Sequence, residues 1–166
     1  SRHELTLPAA LPRGSYSMFV DGRPLGEVGA RQFTVPPLDV RLDADFGGKV
    51  RLVGYTFDAT RTRLQLVWQA APRADADYTV FLHLVNAAGE RVAGTDAPPP
   101  VPASQWARGE VVVDERAVPL ADGLLAGDYH LVAGLYRPED GERLRTKSGQ
   151  DRVGLQMVQV AGGREH

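Results

Sequence analysis

Residues 78–85, YTVFLHLV, put Tyr78, Val80, Leu82 and Leu84 on one side of an extended chain and Thr79, Phe81, His83 and Val85 on the other. Both sides are largely apolar, which fits a strand in the middle of a sheet with each face covered. Shorter alternating runs lie before and after it, separated by Gly, Pro and Asp. No helical period persists for the roughly 10–12 residues a helix requires. The chain therefore reads as all-β, an antiparallel β-sandwich of jelly-roll or immunoglobulin-like type with about ten strands.

Strand-like runs cover residues 4–7, 15–20 and 31–35, and Pro36 and Pro37 end the last of them because neither can donate to a ladder. That divides the chain into residues 1–37, either the remnant of a preceding sandwich or strands packed on the main domain, and a main sandwich at 38–161. Leu38, Val40 and Leu42 share one face of the next strand, and Gly47 and Gly48 turn the chain. Across 49–57 the apolar phase slips by one residue, which predicts a β-bulge near residues 52–54. Leu64, Leu66 and Trp68 align toward the core. A short strand at 90–93 precedes a long loop at 94–109 that holds Pro98, Pro99, Pro100 and Trp106, and a loop of that length in a compact domain is often functional. Residues 110–118 read as a strand burying Val111 and Val113 with Asp114 opposite. Strands at 128–136 and 152–160 close the chain, with a short return at 142–145. Residues 11–22 resemble 124–134, Gly14 matching Gly127 and Tyr16 matching Tyr129, each followed by a further strand.

Lys and Arg total 19 against 21 Asp and Glu, so a net charge of −2 supplies no field to draw in nucleic acid. Cysteine is absent, which removes disulfides, thiolate nucleophiles and Cys-type zinc sites. No apolar run approaches the ~20 residues of a membrane helix, so no direct membrane insertion by this chain is expected. The start SRHELTL has neither an initiator Met nor a signal-peptide pattern and reads as a piece of something longer.

Catalytic signatures are missing: no HExxH, GxSxG, Walker or GxGxxG pattern occurs. No cofactor is expected and no metal is assigned. His3 and His166 sit near the ends, and His83 and His130 fall inside strands, where a hydrogen-bonded structural histidine is the common outcome. The pairs Asp43/Asp45 and Asp75/Asp77 could hold a hard cation, but each lies beside a turn, where Asp serves the backbone. The more informative set is His83, Asp96, Trp106, Asp114 and Tyr136. An exposed Trp beside Asp and His can hold a sugar, the ring stacking on C–H faces while polar groups take the hydroxyls. Against it stands the frequent use of large aromatics to fill cores, with Trp106 plugging the sandwich and Asp114 accepting from loop amides.

Gly54-Tyr55, Leu66-Val67-Trp68, the run from Tyr78 through Leu84, Gly89, Asp96, Pro99, Ser104-Gln105-Trp106, Gly109-Glu110, Asp114, Gly127-Asp128-Tyr129 and Gly134-Leu135-Tyr136 form an ordered set over residues 50–160. In this set the chain resembles a β-sandwich domain appended to bacterial multi-spanning membrane glycosyltransferases of the dolichyl-phosphate-mannose mannosyltransferase type. It departs from that pattern at Asn86, where Asp is usual, and in the Pro-rich loop. The resemblance implies a non-catalytic accessory domain on the extracytoplasmic face, joined to a membrane-spanning portion of the same chain; the Trp-bearing loop beside His83, Asp96, Asp114 and Tyr136 adds glycan as the candidate partner. The alternative is a structural spacer or protein-interaction sandwich without a small ligand.

Overall fold

The computed structural model describes residues 14–70 and 76–161. Those residues form ten strands and a single 3-10 turn. Strands β1 (Gly14–Val20) and β2 (Arg23–Ala30) make a hairpin of their own. The remaining strands are β3 (Val40–Phe46), β4 (Val50–Asp58), β5 (Arg63–Ala70), β6 (Thr79–Val85), β7 (Arg91–Ala97), β8 (Val111–Ala117), β9 (Gly127–Tyr136) and β10 (Val153–Val160). They build two four-stranded antiparallel sheets, ordered β3-β4-β5-β8 and β10-β9-β6-β7. One buried cluster draws Leu52, Leu64, Leu66 and Trp68 from the first sheet and Tyr78, Val80, Leu82, Leu84, Leu131 and Leu135 from the second or beside it. The molecule is an antiparallel β-sandwich.

Strand β6 is central and buried on both faces, as its double apolar pattern requires. The phase slip in β4 is a register shift between Leu52 and Gly54. After it, Val53 leaves the inter-sheet core and joins Val67 and Val111 on the outer face of β3-β4-β5-β8. Val35 and Leu38 cover that small outer core.

Several expectations are corrected. Residues 31–35 form no strand; they run as a strap across the outer face, with Gln32 O accepting from Val111 N–H at 2.8 Å and Arg31 reaching buried Glu110 at 2.6 Å. The strand that follows β1 is β2, reached through Asp21 and Gly22 at φ 49° and 75°, the geometry of a two-residue hairpin turn. Leu38 does not share a face with Val40 and Leu42, which pack on the inter-sheet core. Gly54 allows this crossing, because a Cβ there would lie 2.2 Å from Val40 O and 2.8 Å from Leu38 Cδ1. Strand β7 runs four residues further than its local sequence suggests, to Ala97, because β6 pairs with it through Val80. Residues 142–145 return without forming a strand and contribute one bridge, Tyr136 to Arg143. Residues 4–7, His3, Asp75 and His166 lie outside the described residues.

Candidate functional site

The register of β7, β6 and β9 brings three of the five singled-out side chains together. Phe81 lies opposite Asp96 on β7 and Gly134 on β9, while Thr79 lies opposite Tyr136. These positions project from the outer face of the sheet, away from the inter-sheet core. Two glycines shape the surface. A Cβ at Gly134 would stand 2.3 Å from Phe81 Cζ, and one at Gly94 would stand 2.7 Å from His83 Cδ2 and 2.8 Å from Arg91 Nε. The Phe81 and His83 rings therefore lie across neighbouring strands, with centroids 4.6 Å apart.

Asp96 joins the polar groups of this shelf. Its Oδ1 lies 3.2 Å from His83 Nε2, and its Oδ2 accepts from the Tyr136 hydroxyl at 3.1 Å. Burial lowers the His83 pKa, Asp96 opposes that shift, and the Arg91 charge reinforces it. The ring is thus neutral near pH 7, with Nε2–H donating to Asp96. Tyr136 is shifted up, first by desolvation and then by the Asp96 hydrogen bond. The Asp96 side chain keeps 36% of its exposure and is the acceptor that solvent reaches. Arg143 stacks 4.4 Å over the Phe81 ring and is held by Asp151 at 3.1 Å, so the connection between β9 and β10 covers Phe81. Tyr136 stacks beside Phe81 at 6.4 Å.

Trp106 and Asp114 lie elsewhere, which corrects the expectation of a five-residue site. Trp106 is 1% exposed, belongs to the inter-sheet core, and donates its Nε1–H to Val101 O at 2.8 Å. Its loop turns through Ala103–Gln105, and Asp77 Oδ1 accepts from Ser104 N–H at 2.9 Å; the Ser104 side chain first, and then this N–H, lower the Asp77 pKa. The ring has no face to offer a ligand. Asp114 also points inward, on the same side as Val112 and Arg116, while Val113 faces out. It accepts from Trp68 Nε1 at 3.2 Å and pairs with Arg116 at 2.9 Å. Burial raises its pKa and Arg116 counters the rise. Arg116 goes on to donate to Ala97 O at 2.9 Å, Pro98 O at 3.3 Å and Val80 O at 3.4 Å, tying β8 to the opposite sheet.

The described Asp residues of the two pairs serve the backbone and a neighbouring Arg. Asp43 takes φ 55° and pairs with Arg41, and Asp45 accepts from Gly48 N–H at 2.8 Å. Among the described residues no group of three His, Asp or Glu side chains could hold a metal. His130 is exposed on β9. Sequence reasoning missed Phe81, Arg91, Arg143 and Asp151 as members of the shelf. Gly94 and Gly134, each inside a strand, were the available signal, since such glycines mark a close approach. No family model matches this chain, and no curated protein matches it.

Proposed function

We propose that this chain is a non-catalytic accessory β-sandwich of a membrane glycosyltransferase-like protein, placed on the extracytoplasmic face, and that it serves as a rigid spacer and contact domain. One observation carries the structural part: the Trp-bearing loop, the strongest candidate for a ligand platform, is spent on closing the sandwich. Trp106 is buried and Asp114 is committed to Trp68 and Arg116. The membrane context is supported by the sequence resemblance over residues 50–160.

The half-exposed Asp96 carboxylate, with two donors and an aromatic edge beside it, favours a second reading in which the shelf contacts glycan. An amide-resolved NMR titration with mannose and short mannosides into the millimolar range separates the two. The spacer reading expects no saturable shift at Phe81, His83, Asp96 or Tyr136. Saturable shifts confined to those residues, and lost in Asp96→Ala, would replace it with the glycan reading.

A further inference from the structure

We propose that β10 is a self-pairing edge through which two copies of the chain join antiparallel, fusing their β10-β9-β6-β7 sheets into one. Four strands end the two sheets, and three of them carry charge: Arg41, Asp43 and Asp45 on β3, Arg91 and Asp96 on β7, Asp114, Glu115 and Arg116 on β8. Charged edge residues keep unpaired ladders from joining. Strand β10, VGLQMVQV, has none. Among the described residues it pairs on one side alone, with β9.

Its inward residues Val153, Leu155, Val158 and Val160 pack on the core yet remain only partly buried, so apolar surface is left at this edge. The spacing of those residues identifies the occupant. The register shift between Gly154 and Met157 inserts one residue, and the inward set becomes symmetric about the Gln156–Met157 bond. An antiparallel copy then sets Val153 against the copy's Val160 and Leu155 against the copy's Val158. Gly154 meets the copy's Gln159 on the outer face. An unshifted strand would bring inward residues against outward ones in this register. The two-fold axis brings only the central residues, Gln156 and Met157, near their own copies, and neither carries a charge that would repel itself there.

A groove of about 740 Å³ lies beside the Val160 end, lined by Phe57, Leu120, Leu124, Met157 and Val158. Leu125 nearby is 80% exposed and Met157 is 52% exposed. Strand pairing alone falls short of the roughly 1,200–2,000 Å² of a stable interface, and this groove continues the apolar area to where the copy's Val153 arrives.

Sedimentation equilibrium and concentration-dependent hydrogen exchange test the proposal on the whole chain. A dimer is expected, with the β10 amides that face away from β9 protected in step with dimer formation. Met157 is exposed and sits beside the two-fold, so Met157→Lys and Met157→Glu should each fold normally and weaken dimerisation by at least about ten-fold. Mixing the two variants should restore it as a heterodimer. A monomer at every concentration overturns the proposal and leaves the edge to a strand of another protein. A dimer indifferent to Met157→Lys overturns it in favour of another face. Protection, in a monomer, of the β10 amides that face away from β9 also overturns it, by showing the edge filled from within the chain.

Discussion

The two flanks of the sandwich are built from the same kind of strand and finished in opposite ways. On the β7/β8 flank the Pro-rich connection folds inward, Trp106 fills the core, and Arg116 reaches across to carbonyls of Val80, Ala97 and Pro98. The strap at residues 31–38 takes the Val111 N–H on the same flank. On the β3/β10 flank the inward residues of both strands, Val40, Leu42 and Ala44 with Val153, Leu155, Val158 and Val160, stay partly buried. Polar links across it include Tyr55 to Gln156 at 3.4 Å and Lys147 to Asp45 at 3.7 Å. Residues 143–147 seal the Phe46 end, through the Phe46–Thr146 bridge and Gly47 N–H to Arg145 O. A flank closed by its own chain has little left for a partner. The open one keeps apolar surface, and the contact role proposed above belongs there.

The difference should appear first in stability. Trp106→Ala empties the closed flank and is expected to cost about 3–5 kcal/mol in urea unfolding, the range for removing a large buried aromatic. A cost below about 1 kcal/mol would mean the loop packs loosely and the comparison fails. Arg116→Met leaves Asp114 buried without its cation and should cost about 3 kcal/mol. Combining it with Asp114→Leu should recover much of that loss, because the pair is then replaced and not broken. On the open flank, Val158→Ala removes a half-buried side chain and should cost about 1 kcal/mol. If β10 pairs with a copy, that cost will rise with protein concentration. A concentration-independent cost as large as that of Trp106→Ala would show that the two flanks are equally closed.

Much of the frame was legible because its causes are local. Two apolar faces on residues 79–85 can only be satisfied mid-sheet, and a one-residue phase slip at 52–54 can only be absorbed by a bulge. What the sequence hid was tertiary. Residues 31–35 carry Phe, Thr and Val like a strand, yet Phe33 stays exposed and the chain binds as a strap because β8 offers an edge there. Strand β2 holds Pro24, Gly26 and Gly29, and only the Asp21-Gly22 turn pointed to it. Asp96 looks like loop and is strand because β6 supplies its ladder. His83, Asp96 and Tyr136 meet through the register of three strands distant in sequence, which no local pattern reports. Trp106 in a Pro-rich loop can serve as platform or plug, and its surroundings decide.

The smallest expected effect concerns the shelf, which belongs to neither flank and serves as a control on both. Burial holds the His83 pKa below its ordinary 6.5 in the folded chain. The unfolded chain therefore binds a proton more readily, and the contribution of neutral His83 is complete above pH 6.5 and lost as pH falls from there toward the folded value. Arg91 and Arg143 face the ring and oppose its charging; Asp96 favours it and keeps the loss modest. Urea midpoints should fall between pH 7 and pH 5.5, by about 1 kcal/mol or less in stability. His83→Gln, which retains an N–H for Asp96, should flatten that slope, whereas Trp106→Ala and Val158→Ala should leave it parallel to the wild type. A slope that persists in His83→Gln would assign the titration to another group.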